Sequence, residues 1–228
     1  MLTSGDLMRV LSAMVRIIVR EETILGDLDA AIGDGDHGVN MVVGFRAVEE
    51  ELPLLAGADM ETTLGHVGTT IMAAIGGAAG PLYSAAFTEA ATAVGRVHTA
   101  GLSDLAAMLE AARDGVMRRG RSNPGEKTML DTLDWAAREA RRCVDSGVAW
   151  DVAAERIAAA AAAGLLSTRD MAARRGRARW QFEQALDHLD PGAASCYLLI
   201  ATACGCEAAL APLMRSAASV GSRRRSEP

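Results

Sequence analysis

The sequence predicts an all-α, single-domain fold, an antiparallel bundle or closed ring of helices, on three observations. Half of the 228 residues are apolar, but these are mostly Ala, Leu, Val, Ile and Met, with aromatics at only 4%. The alternating β-branched runs expected of strands are missing. Glycine, proline and capping residues divide the chain into eight segments of helical length.

Segment one runs from about Ser4 to Leu25 and carries Leu7, Val10, Leu11, Met14, Val15 and Ile18 at spacings of three and four. Segment two starts near Gly38 and ends before Pro53; segment three opens near Asp59 and runs to Ile75, where Gly76 and Gly77 stop it. Segment four begins around Pro81, a residue favoured in a first helical turn, and ends near Val94. Ser103 or Asp104 is expected to cap segment five, which ends at Gly120, itself a candidate C-cap. Segments six, seven and eight span about Thr128 to Ser146, Asp151 into the low 170s, and Pro191 to Arg215. Most connections are short, which favours antiparallel neighbours, and no interdomain linker stands out. One domain over residues 1–215 and a basic tail over 216–228 are expected.

Charge and composition exclude several functions. The net charge is −6, and the clusters RRGRAR at 174–179 and RRR at 223–225 lack interleaved aromatics, so a nucleic-acid partner is not expected. Asp6, Arg9 and Arg16 interrupt the first apolar run, and no stretch reaches about 18 uninterrupted apolar residues. A cytoplasmic protein with no membrane segment is expected. Cys143, Cys196, Cys204 and Cys206 read as packing residues; Cys204 and Cys206, two apart, are expected on different sides of a helix.

In an up-and-down bundle of eight helices, connections one, three, five and seven meet at one end, and these are residues 26–37, 76–80, 120–127 and 174–190. The first, within GDLDAAIGDGDHGVNM, crowds Asp29, Asp34 and Asp36 among glycines. Carboxylates this close repel one another and call for a cation between them. An EF-hand is disfavoured, because the twelfth position counted from Asp34 is Phe45 and from Asp29 is Asn40, not glutamate. His37 and Asn40 follow at a helix start where they could contact phosphate. The second connection, GGAAGP, offers Gly76, Gly77, Ala78 and Ala79 as backbone donors leading into a helix N-terminus, an anion site. The third brings Met129, an apolar surface able to cover a base, and the fourth brings Arg177 and then Asp190, Pro191 and Gly192.

The strings LDAAIGDGDHGVNM, GGAAGPL, RRGRSNPGEKTMLD, ARRGRAR and DPGAAS, in this order, resemble the nucleotide-binding L-subunit of dihydroxyacetone kinases over nearly the whole chain. The resemblance implies a barrel of eight antiparallel helices that holds ADP or ATP at one end through two Mg²⁺ ions bound by Asp29, Asp34 and Asp36. It further implies nucleotide contacts from His37, Gly38, Val39, Asn40, Gly77, Ala78, Ala79, Gly120, Met129 and Asp190 to Gly192, with Arg177 near the transferring phosphoryl group. The implied partner is a K-subunit carrying dihydroxyacetone, with a phosphohistidine phosphotransferase protein as donor where ADP is a resident coenzyme; a homodimer is a further expectation. An ATP-exchanging kinase for a related ketose or tetrose and a non-catalytic nucleotide-binding regulator are the alternatives. The sequence departs from the family pattern at Ala79, where serine is usual, and at FEQA, 182–185.

Overall fold

The computed structural model describes residues 1–176 and 185–214. Nine α-helices are described in full: α1 (Ser4–Arg20), α2 (Glu22–Ala30), α3 (His37–Glu51), α4 (Met60–Ala74), α5 (Ala79–Val94), α6 (Leu102–Gly120), α7 (Met129–Asp145), α8 (Trp150–Ser167) and α9 (Pro191–Ala203). Two two-residue strands, β1 (Leu2–Thr3) and β2 (Thr99–Ala100), pair antiparallel with Leu2 opposite Ala100. The protein is mostly helical, and the all-α expectation is corrected only by this short strand pair. None of the described helices is long and apolar enough to cross a membrane.

The helices start and stop for local reasons. Thr3 caps α1 in a capping box with Asp6, and Thr128 does the same for α7 with Asp131. Asp59 caps α4 through the Thr62 N–H at 2.7 Å. The expected cap of α6 is corrected: Gly101 is the N-cap, and Asp104 works from the first turn, accepting the Gly101 N–H at 2.7 Å. At the far end of α6 the left-handed residue is Arg121, with φ 47°, so Gly120 is the last helical residue and not the cap.

Two segment boundaries also differ from expectation. Segment one bends at Glu21, yet hydrogen bonding runs on across the bend, from Glu21 N to Ile17 O and from Leu25 N to Glu21 O. The buried Glu21 carboxylate accepts Leu210 N at 3.3 Å and Arg20 Nε at 3.0 Å, contacts to a distant segment that no local pattern announces. Segment eight stops at Ala203, because Gly205 takes φ +70° and its N–H closes onto Thr202 O while Cys206 N closes onto Ala201 O. Cys204 is therefore the helix cap and Cys206 lies beyond the helix; both are free thiols, as are Cys143 and Cys196.

Packing order follows chain order. α1 packs on α3, each helix from α3 to α9 packs on the next, and α9 returns to α1; α2 lies against α3 and α9. The enclosed core is mostly aliphatic, with Leu11, Ile18, Phe45, Ile71, Ile157 and Leu165 at most 1% exposed. Glycine permits the closest approaches. A Cβ on Gly38 would lie 2.2 Å from the Glu22 carbonyl oxygen, and one on Gly80 would lie 2.1 Å from that of Ile75.

Gly38 thus joins α3 to α2 by backbone contact. Gly38→Ala should destabilise the fold by about 1–3 kcal/mol in urea unfolding, the usual cost of overpacking. Unchanged stability would mean that α2 moves aside freely.

Candidate functional site

The loop Ala31–Asp36 is folded by short backbone bonds, Ile32 N to Asp29 O at 3.0 Å and Asn40 N to Asp36 O at 2.9 Å, with Gly35 at φ +79°. This turn brings the carboxylate oxygens of Asp29, Asp34 and Asp36 within 4.8 Å of one another. Asp29 is half-buried and the other two are exposed. The Asp29 carboxylate also accepts the His37 N–H at 3.2 Å, which ties the end of α2 to the start of α3. A Cβ on Gly33 would lie 2.4 Å from Asp29 Oδ1, so only glycine leaves that oxygen its place. Three hard oxygen donors converging from one short turn fit a Mg²⁺-type cation better than a soft metal.

Beside this cluster opens a cavity of about 780 Å³. Its wall includes Asp29, Asp36, His37, Asn40, Gly77, Ala78, Ala79, Gly120, Met129, Asp190, Pro191 and Gly192, drawn from four connections and the helix ends next to them. Asp34 joins through the carboxylate cluster. Gly38 and Val39 do not line the cavity: Gly38 is packed under α2, and Val39 is 54% exposed elsewhere on α3. Arg177, most of the 182–185 departure and the 216–228 tail lie outside the described residues.

Each wall has a distinct chemistry. At the start of α5, Ala78 is an N-cap without a side-chain hydrogen bond, and Gly77 precedes it at φ +65° with open space around its Cα. The first-turn N–H groups of α5 therefore face the cavity without a side-chain partner. Leu82, Val116 and the 4%-exposed Met129 form an apolar side. Asp190 caps α9 through the Ala193 N–H at 2.7 Å and donates its own N–H to Thr168 Oγ1 at 3.0 Å.

Four residues at or beside the site escaped the sequence reading. Lys127, 1% exposed, takes φ 62° and donates from Nζ to the carbonyls of Thr168 and His188, both at 2.6 Å, so it holds the connection after α8 to the loop before α7. Glu126 reinforces this strap by pairing with Arg175 at 2.7 Å and accepting Arg174 N at its carbonyl at 3.1 Å. Tyr83 and Ser195 are hydrogen-bonded to each other at 2.7 Å behind His37. The positive φ of Lys127 is invisible in sequence, and these partners of all four lie far along the chain.

Burial governs the electrostatics. It pushes the Asp190 carboxyl up to about 7, against the pull of the Ala193 N–H and the Lys127 ammonium. Burial lowers the Lys127 ammonium, opposed by Asp190, Asp170, Asp131 and Asp187. Desolvation likewise lowers His37, opposed by the charges of Asp29 and Asp36.

The fold is thus mostly helical, with a carboxylate cluster at the mouth of a glycine-rimmed cavity. The family comparison is specific. The DAK2 domain matches residues 31–205, and the chain belongs to that family. It is 38% identical over 179 residues to the ADP-binding subunit DhaL of the PEP-dependent dihydroxyacetone kinase of Escherichia coli (strain K12), covering 78% of this chain and 85% of the relative. It is 34% identical to a D-erythrulose kinase of Mycolicibacterium smegmatis (strain ATCC 700084 / mc(2)155) over 87% of this chain but only 34% of that enzyme. The dihydroxyacetone kinase of C. freundii, solved with AMP-PNP and Mg²⁺, superposes with a TM-score of 0.66 at 22% identity, over 87% of this chain and 33% of that one.

Two outcomes follow from the site's buried polar groups. Lys127→Met should cost on the order of 2 kcal/mol in unfolding free energy, since it strands two carbonyls. A raised carboxyl stabilises the fold only while protonated, so the Asp190 contribution is lost as pH rises toward about 7. Denaturant titrations between about pH 5 and 7 should show that decline in the wild type and a flatter profile in Asp190→Asn.

Proposed function

We propose that the chain is the nucleotide-binding phosphotransferase subunit of a dihydroxyacetone kinase, passing a phosphoryl group from Mg-bound nucleotide to dihydroxyacetone on a separate K-type subunit. The observation that carries the reading is the convergence of Asp29, Asp34 and Asp36 within 4.8 Å at a cavity that also receives the uncapped start of α5. Bound Mg²⁺, two ions in this reading, supplies charge neutralisation for a nucleotide's phosphates and for the transferring group.

The chain's own residues do the rest. Asp29 holds the end of α2 and the start of α3 in register, so that the three carboxylates stay aimed at one point. The α5 N–H groups bind phosphate oxygens as neutral donors, a task for which Ala79 needs no hydroxyl. Met129, Leu82 and Val116 offer the base an apolar wall, and the narrow Gly120 step beside Leu82 keeps that wall open. The Lys127 and Glu126 strap holds the connection that leads to Arg177, the residue assigned to the transferring phosphoryl group.

The neighbour order of α1 and α3 to α9 supports an eight-helix barrel as the scaffold. Residence in the cytoplasm, a phosphohistidine phosphotransferase donor and ADP as a retained coenzyme complete the reading. The similarity to a D-erythrulose kinase favours a second one, in which ATP exchanges freely and the acceptor is a related ketose.

Mass spectrometry of the purified, desalted protein separates the two. Retained ADP that leaves only after an EDTA wash is expected for the coenzyme mechanism; a protein free of nucleotide that binds Mg-ATP in a titration would replace it with the exchanging kinase. Asp34→Ala should keep the helical circular dichroism and lose Mg-dependent nucleotide binding in calorimetry. Wild-type affinity in that variant would sink the metal assignment.

A further inference from the structure

Ser195, wholly buried in α9, is the meeting point of three helices. Its Oγ lies 2.8 Å from Nε2 of His37, the first residue of α3, and 2.7 Å from the hydroxyl of Tyr83 on α5. The same oxygen is 3.1 Å from the Gly192 carbonyl and 3.2 Å from the Pro191 carbonyl, both in the first turn of α9. Tyr83, 2% exposed, also lies 3.3 Å from the Gly192 carbonyl.

Counting hydrogens restricts the arrangement. The Ser195 hydroxyl has one hydrogen and two lone pairs, and the backbone carbonyls can only accept. When Ser195 donates to its own first turn, its lone pairs are left for two donors, the Tyr83 O–H and a ring N–H of His37. Nε2 is the ring nitrogen that meets Ser195, so in this arrangement the hydrogen belongs on it.

We propose that Ser195 and Tyr83 are positioning residues for His37: they fix its ring with Nε2 as donor and Nδ1 as acceptor, and they register the starts of α3, α5 and α9 on one another. All three helices begin at the cavity, so a loss of register displaces the carboxylate turn, the α5 donors and the Asp190 cap together. His37 then serves the site through an accepting nitrogen, and phosphate contact falls to the backbone donors of α5. Only the nucleotide consequence rests on the proposed function; the hydrogen-bond arrangement is a property of the ligand-free protein.

The test reads the ring directly. Long-range nitrogen–proton NMR of ligand-free wild type should show the His37 hydrogen on Nε2, and Ser195→Ala should shift the ring toward a mixture of tautomers with unchanged far-UV circular dichroism. Calorimetry should give Mg-ADP affinity about fivefold weaker in Ser195→Ala, the usual worth of one hydrogen bond. Should Ser195→Ala lose helicity, Tyr83→Phe carries the same comparison, since it removes one donor without removing the ring. A bare Nε2 in the wild type, or identical His37 signals in wild type and variants, would overturn the inference. Failure of the wild type to bind Mg-ADP would instead overturn the proposed function, while the ring signals still decide the role of Ser195.

Discussion

Mutual repulsion among Asp29, Asp34 and Asp36 is the constraint on which the site depends. Like charges whose oxygens lie within 4.8 Å raise each other's energy, and a loop free to move would spread them. Here the loop is not free. Asp29 sits in the last turn of α2, Asp36 is the N-cap of α3, and the Asp29 carboxylate is tied to the His37 N–H. The backbone contact at Gly38 locks the two helices, so the energy that holds the carboxylates together comes from helix packing. A divalent cation placed there would find its ligands preorganised and would relieve the repulsion that packing sustains.

The same logic extends around the cavity. Four helices begin at its rim, and each start is fixed by a side chain or backbone group from elsewhere in the chain. Lys127 reaches the carbonyls of Thr168 and His188, Thr168 receives Asp190 N, and Tyr83 and His37 converge on Ser195. These bonds are short and their atoms are removed from water, which raises the cost of losing any one of them. The positive φ of Lys127 belongs to this pattern, since a strained backbone persists where the surroundings over-determine it.

Much of this was legible in the sequence, for a physical reason. The carboxylate turn is encoded by residues at most seven apart, and glycine spacing reports where the chain must bend or approach closely. Helix starts at Thr3, Asp59, Thr128 and Asp190 follow from local capping chemistry, which also works within four residues. What stayed hidden was set by distant partners. Glu21, at the bend between α1 and α2, binds Leu210, Lys127 meets residues 41 and 61 positions away, and His37 meets Ser195 at a separation of 158. In the last helix the stop at Gly205 was locally encoded, by a glycine whose left-handed conformation the apolar run around it obscured.

Ala79 shows how these levels combine. Where a serine is usual in the family pattern, this chain has a methyl group at the first position of α5, and Ala78 before it offers no cap. The N–H groups of that turn still need partners, because unsatisfied helix-terminal donors are costly when shielded from water. Gly76 and Gly77 leave the space before them open, and Gly80 lets the helix start fold against the end of α4. The turn is thus held in place by packing and left without its own acceptor. An anion would satisfy it, and a cation held by the neighbouring carboxylates would add to the pull of the helix dipole on the same oxygens. Loss of one hydroxyl therefore removes a single donor from a site whose geometry rests on backbone.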